Sequence, residues 1–385
     1  MNKILPDHLH DEVVKVRRDL HRIPETAFKE NETSNYIKNY LKLNNIDFES
    51  EIAKTGIIVT LNGEKQGNNI LGLRADIDGL PIKEETDLEF KSDNGNMHAC
   101  GHDGHVAMML VSLKNINSKK DELSGTLKVI FQPAEEEIGG AKVMIEQKPE
   151  FFSDLTHVFG FHIWNQIELG KIAFNDSTVF VSADTFEIEI NGVGGHGAMP
   201  HLNIDPILIA ANLIVSSQSI ISRRKNPGKL GVITFGKIDA GSAANITPKS
   251  VKLTGTIRAE SNDTREFLIN ELKKLSESLP VSFGGVGKFD KTSGTGPVVN
   301  NKTFANQLYS IADEIFGDNT SIKVDPVSVA DDMSEFMSLA PSVYALLGGR
   351  KENSEMHHNS KFDFDEQCLS YGIEFINSLV YKILN

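Results

Sequence analysis

The segment His98-Ala-Cys-Gly-His102-Asp-Gly-His105 packs one cysteine and three histidines into eight residues. Thiolate and imidazole are the side chains that hold zinc-like cations. A lone cysteine is ordinarily a small buried hydrophobe, but the density of this cluster favours coordination. A second cluster, Gln132-Pro-Ala-Glu135-Glu136-Glu137, follows the apolar run Thr126–Phe131. Three consecutive glutamates are usually a solvated face. Here they stand at the carboxyl end of a predicted buried strand, where open α/β sheets gather their ligands. Adjacent carboxylates also suit a division of labour, one on a cation and one free as a base. Arg74-Ala-Asp76-Ile-Asp78 ends another such run, although an aspartate alone often does no more than open a turn. His162, inside Val-Phe-Gly-Phe-His-Ile-Trp, reads equally as a satisfied core residue or a ligand. Met356-His357-His358-Asn-Ser-Lys-Phe follows a strand pattern and a Gly348-Gly349 turn and is ambiguous alone. Taken together, five strand-end segments each supply a carboxylate, imidazole or thiolate.

Two other chemistries fail on their spacing. Gly192-Val-Gly194-Gly-His-Gly197 fits the G-x-G-x-x-G dinucleotide fingerprint, which must open a helix at once and place an acid about 20 residues on. Pro200 and Pro206 push the helix downstream, and Ser216–Ile221 contains no acid. The segment is better read as a glycine-permitted loop presenting His196 and His201. A zinc deaminase needs P-C-x-x-C, and the only cysteines are Cys100 and Cys368.

The elements that must position these groups change character along the chain. A helix is expected from Pro6 to about Arg22, buried strands at Gly56–Leu61, Asn69–Arg74, Thr126–Phe131 and Thr156–Trp164, and a helix at His105–Ile116. Buried strands alternating with helices predict an α/β layer on a largely parallel sheet. From Asp184 the strands alternate apolar and polar, as in Phe186–Asn191, Leu230–Ile238 and Val251–Ala259, with helices at Asp205–Arg223 and Asp263–Ser278. That is the pattern of an α+β open sandwich. The Gly- and Lys-rich stretch Gly284–Gly296 reads as the way out, and α/β patterns resume in Lys302–Phe316, Ser342–Leu347 and Asp365–Leu384. The expected organisation is a discontinuous catalytic domain, residues 1–183 and 296–385, with an inserted lid or dimerisation domain over 184–295.

With 385 residues, 39% of them hydrophobic and 24% charged, the chain has the size and composition of a two-domain globular protein. A net charge of -14 argues against a nucleic-acid partner. No run reaches the roughly 20 apolar residues of a membrane span, and Met1–Asp7 lacks a leader pattern. Two cysteines without a disulfide framework fit a reducing compartment, so a cytoplasmic location is expected.

These residues give the chain a resemblance to the aminoacylase/carboxypeptidase clan of two-metal peptidases. Within that clan it looks like the amidohydrolase branch of hippurate hydrolases, indoleacetyl-amino-acid hydrolases and N-acetyl-diaminopimelate deacetylases. The resemblance runs from Arg18-Asp-Leu-His-Arg-Ile-Pro-Glu25 through Arg74–Pro81, Met97–Asp103, Gln132–Glu136 and Gly195–His201 to His358. It implies two divalent ions, manganese, zinc or cobalt, held by Cys100, His102, Glu136, His162 and His358, with Cys100 bridging. His358 is preferred to His357 because it stands four residues before Phe362. The resemblance implies Glu135 as general acid/base, and Asp78 with Asp76 beside it as the carboxylate orienting a ligand. It implies His196 as an oxyanion-stabilising donor, and Asn245 and Arg258 as holders of the substrate carboxylate, with His201 nearby. Relatives typically carry Glu-Asp-Phe where this chain has Asp331-Asp332-Met333.

The expected chemistry is hydrolysis of an N-acyl amino acid. Cations lower the pKa of water from 15.7 towards roughly 7, and Glu135 moves the proton to the leaving amine, a role typically giving about 10²–10⁴-fold. A dipeptidase or carboxypeptidase would use the same centre. A silent binding protein on this fold would have lost ligands or the base, and none is missing. The expected assembly is a homodimer through the inserted domain, with a small N-acyl amino acid or peptide as the only other partner.

Overall fold

The runs that the sequence marks as buried strands lie side by side. The computed structural model describes residues 5–137, 139–317 and 320–385; residues 1–4, on which the reading of the N-terminus partly rests, lie outside the described residues. One sheet has eight strands in the order Glu49–Ile52, Gly56–Asn62, Thr126–Gln132, Ile70–Asp76, His157–Trp164, Ser342–Gly348, Ile172–Ala173 and Ser321–Ile322. The pairings around Ile70–Asp76, and that of His157–Trp164 with Ser342–Gly348, are parallel. Antiparallel pairings occur towards both sides, at Glu49–Ile52 on Gly56–Asn62, at Gly56–Asn62 on Thr126–Gln132, and at Ser342–Gly348 on Ile172–Ala173. The central strands are near-continuous apolar runs because helices cover the sheet. The helix His102–Asn117 is buried on nearly every side, between the sheet and the helices Asp7–His21 and Gln367–Ile383. A helix that is apolar all round belongs in such a place.

The chain divides into two compact units. The first comprises the residues up to Val179, then Val299–Asp325 and Asp332–Asn385; the second comprises Phe180–Val298 and Pro326–Asp331. In the second, a four-stranded antiparallel sheet runs in the order Gly231–Ala240, Ser250–Ala259, Ala183–Asn191 and Val286–Thr295. The helices Pro206–Ser219 and Asn262–Ser282 pack on it around Phe186, Ile188, Leu213, Leu253 and Leu268.

Three features go beyond the expectations or depart from them. The stretch Gly284–Gly296, read as the way out, is largely a strand: Val286–Thr295 pairs at the edge with Ala183–Asn191, anchored by buried Phe289, before the chain returns to the first unit at Val299. Its lysines and glycines conceal the strand because an edge needs only one apolar row. A helix at Asn31–Leu43, stapled to the core by Ile37 and Leu41, was not anticipated. Finally, the helical segment Pro206–Arg224 is long and apolar enough to cross a membrane by length and composition alone, although most of its length is not buried within its own unit.

Candidate metal centre

Each segment of the centre is aimed by the end of a regular element in the first unit. Asp76 closes one strand and Asp78 follows it; Glu135 and Glu136 follow the strand ending at Gln132; His162 lies near the end of a third. Cys100 and His102 flank Gly101, whose φ of 86° turns the chain into the buried helix. A side chain at Gly101 would be strained there. His358, also at positive φ, is tied by its N–H to the Ala99 carbonyl at 2.9 Å.

Hydrogen bonds fix the imidazole tautomers. His162 Nδ1 donates to the Ile163 carbonyl at 2.7 Å, so Nε2 presents its lone pair, 3.3 Å from Cys100 Sγ. His102 Nδ1 donates to the Asp78 carbonyl at 2.9 Å, leaving Nε2 towards Glu136 Oε1 at 4.0 Å and Asp76 Oδ2 at 3.7 Å. Glu136 Oε2 lies 3.3 Å from His358 Nε2. His102 Nε2 and Glu136 Oε1 are buried without a hydrogen bond in the protein, which is costly for polar atoms unless something else satisfies them. The donor atoms of Cys100, His102 and His162 lie within 4.8 Å of one another, as do those of Cys100, Glu136 and His358, and of His102, Glu135 and Glu136. Overlapping groups that share Cys100, His102 and Glu136 fit two cations side by side, and thiolate, imidazole and carboxylate suit zinc-like ions.

The electrostatics agree with that fit. Burial pushes the Cys100 thiol well above its ordinary range, and Glu136, Glu135 and Asp76 push it further. Its thiolate therefore calls for a nearby cation. Burial opposes protonation of His102, but Asp76 and Asp78 outweigh it and raise the pKa to about 10, so a cation would displace this proton. Burial, then His105 and His357, hold His162 well below its usual value, neutral and able to ligate.

Around these groups stands a supporting shell that sequence reasoning largely missed. His105 accepts the Ile163 N–H at Nε2, 2.9 Å, and therefore donates from Nδ1 to Asp76 Oδ1 at 2.6 Å. Both its nitrogens are occupied, which makes it a brace between two strand ends. Arg74 donates to Asp76 at 2.7 Å, to Gln132 at 2.7 Å and to Asp332 at 3.3 Å. Asp332 also accepts from Gln132 at 2.7 Å and from the Ala141 N–H at 3.0 Å, so this part of the unusual Asp-Asp-Met segment joins the shell. His357 donates from Nε2 to the Ile163 carbonyl at 3.0 Å and stacks on Trp164 with ring centroids 4.5 Å apart. That leaves His358 as the histidine of the pair that faces Glu136.

The remaining candidates lie in the second unit. Gly195–His196 pairs with Ile246–Thr247, which sets His196 beside Asn245 on one short ladder. His196 is exposed and accepts the Ala198 N–H at Nδ1, 3.1 Å, which leaves Nε2 as the ring's donor. His201 is exposed in the turn Pro200–Leu202. Arg258 is not on that ladder. It stands on the four-stranded sheet, one residue before Ala259, which bonds Ser182 where the chain enters the unit. Burial lowers its pKa, against the pull of Asp184.

Fold and site together are those of a metal-dependent hydrolase acting on amides. The chain belongs to Peptidase family M20/M25/M40, whose profile matches residues 72–382. It is 34% identical over 383 residues to a hippurate hydrolase of Campylobacter jejuni, covering 98% of this chain and 97% of that one. It is also 34% identical to thermostable carboxypeptidase 1 of Saccharolobus solfataricus, over 94% of this chain and 93% of that one. Among solved structures, the YxeP protein of Bacillus subtilis, described as a dinuclear metal-binding peptidase of the M20 family, superposes with a TM-score of 0.86 at 28% identity, covering 98% of this chain and 99% of that one.

Proposed function

We propose that the chain is a cytoplasmic two-metal amidohydrolase releasing free amino acids from N-acyl amino acids. The observation that carries this is the convergence of Cys100, His102, Glu136, His162 and His358, with buried, unsatisfied His102 Nε2 and Glu136 Oε1 turned towards each other. When bound, two divalent ions, manganese, zinc or cobalt, supply Lewis acidity at the scissile carbonyl and acidify water. Glu135 takes the proton of the attacking water and returns it to the leaving nitrogen. Asp78 fixes His102 and, through Oδ2, the Glu136 N–H at 3.0 Å; Asp76 holds His105 and Arg74.

The inserted domain, residues 184–295, serves as lid and dimer contact in this proposal. His196 Nε2–H donates to the oxyanion, and Asn245 and Arg258, with His201 nearby, grip the substrate carboxylate, for which a guanidinium is well shaped. Exposed Ile207, Leu208 and Val215 on one helix, and Val232 and Ile238 on an edge strand, support a homodimer through this domain. Unpaired Cys100 and Cys368 support a reducing compartment.

Similarity to a carboxypeptidase favours a second reading, hydrolysis of peptides at the same centre. The test is a panel of N-acetyl, N-benzoyl and N-indoleacetyl amino acids beside dipeptides and blocked peptides, with elemental analysis of the same sample. Chelation should abolish hydrolysis and manganese, cobalt or zinc should restore it. Full activity in verified metal-free protein would overturn the proposal; preference for peptides would select the second reading.

A further inference from the structure

Glu30 is fully buried, and its side chain does something other than its position suggests. It stands at the N-cap of the helix Asn31–Leu43, where a carboxylate ordinarily bonds the first free N–H groups of its own helix, yet it makes no such bond. Glu25 does that work instead, accepting the N–H groups of Glu32 at 2.8 Å and Thr33 at 3.1 Å. The Glu30 carboxylate reaches across to the strand-end turn that carries the two glutamates. Oε1 accepts the Ala134 N–H at 2.9 Å and the Phe28 N–H at 2.9 Å, while Oε2 accepts the Thr55 hydroxyl at 2.6 Å.

Ala134 sits at a φ of 54°, a left-handed conformation that an alanine adopts only when its surroundings impose it. Its carbonyl is held from the other side by the Gly140 N–H at 3.3 Å. A Cβ on Gly140 would fall 1.7 Å from the Pro133 carbonyl, so the turn is packed against backbone there. One residue beyond Glu135, the Glu136 N–H is gripped by Asp78 Oδ2 at 3.0 Å. Two buried carboxylates thus hold the backbone on either side of Glu135, which sets the direction in which its Cα–Cβ bond leaves the chain.

We propose that Glu30 is the positioning residue of the proton-transfer step, holding Glu135 in line by its grip on the Ala134 N–H. This rests on the reading of Glu135 as general acid/base. Glu30 touches neither substrate nor cation; what it supplies is an acceptor at the right depth. The acceptor matters more than the charge, because a glutamine oxygen could receive both N–H groups while its amide donates to the Thr55 hydroxyl.

The test uses the metal-loaded enzyme and three substitutions, beside Glu135→Gln as reference. Glu30→Gln should keep kcat within about threefold. Glu30→Asp, one methylene short of Ala134, should lose about 10²-fold in kcat with KM little changed and both metals present, the cost expected of roughly 1 Å of misplacement. Glu30→Ala should lose at least as much, and Glu30→Asp carries the test if the alanine variant does not fold. In metal-free protein, amide exchange at Ala134 should accelerate at least about tenfold in the aspartate variant and stay slow in the glutamine variant. Folded, metal-replete Glu30→Asp with wild-type kcat would overturn the proposal, as would a glutamine variant as impaired as the aspartate one. Wild-type turnover in Glu135→Gln would instead overturn the assignment of the base, and with it what Glu30 is said to aim.

Discussion

Glu135 and Glu136 are chemically identical neighbours, and only their surroundings divide them. Glu136 turns its two oxygens to His358 Nε2 at 3.3 Å and His102 Nε2 at 4.0 Å. Glu135 is buried, with a carboxylate oxygen within 4.8 Å of Asp332. Glu135→Gln is expected to retain both metals and lose about 10²–10⁴-fold in kcat, whereas Glu136→Gln should lose metal as well. Elemental analysis of the two proteins beside their turnover checks this, and the reverse pattern would exchange the roles. Cys100 and His102 were legible as candidate ligands because cysteine and histidine in a dense cluster already suggest coordination, whereas His162 and His358, ambiguous alone, were singled out by the family resemblance. Glu30 was not, because the helix it precedes was itself unanticipated and its partner Ala134 is 104 residues away in sequence. His105 stood in the cluster, but its brace role depends on which nitrogen holds the proton, which only the Ile163 N–H reveals.

The helix Asp7–His21 contributes no candidate ligand, yet its last turns tie together segments that do. Arg17, almost wholly buried, donates to Asp103 at 2.8 Å, Asp363 at 3.1 Å and Glu366 at 3.0 Å. Asp103 adjoins His102, and Asp363 closes the loop after His358. His21 completes the network between Asp103 at 2.8 Å and Glu84 at 3.2 Å. Burial would raise the Asp103 pKa, but Arg17 and His21 outweigh it and hold it far below the usual carboxylate range. The unfolded chain therefore binds this proton first as pH falls. The stabilisation is present above about pH 4, the ordinary aspartate pKa, and is lost progressively below it. Denaturant melts of metal-free protein from pH 7 to pH 3 should show that loss, and Asp103→Asn should flatten it. At pH 7 the same substitution should cost about 3–5 kcal/mol, nearer the lower figure because two carboxylates still face Arg17. The expected helix Pro6–Arg22 was readable from its pattern; its bridging role was not, since Asp363 and Glu366 lie some 350 residues further along the chain.

At the scale of the molecule, the groups proposed for catalysis are divided between the two compact units, with Glu135 in one and His196 in the other. In a homodimer the oxyanion donor can come from the neighbouring copy. Glu135→Gln and His196→Ala homodimers should each be nearly inactive. Equal amounts, dissociated and reassociated at random, should then recover up to about a quarter of wild-type activity through heterodimers with one intact site. Verified heterodimers without recovery would place the action of His196 within its own chain, or nowhere in the reaction. The α/β class was legible because fully apolar runs betray a covered sheet. The edge strand Val286–Thr295 was harder to see because its exposed face is as polar as a loop.

The chain contains a single tryptophan, and it stands at the candidate centre. Trp164 stacks on His357 and lies 5.5 Å from the ring of His162. Its intrinsic fluorescence is therefore a built-in gauge of cation loading that needs no label. Titrating metal-free protein with cobalt should quench the emission and zinc should shift it, and in each case the change should saturate at the stoichiometry found by elemental analysis. His162→Ala should blunt both responses. Emission indifferent to either ion would mean that no cation settles beside His162.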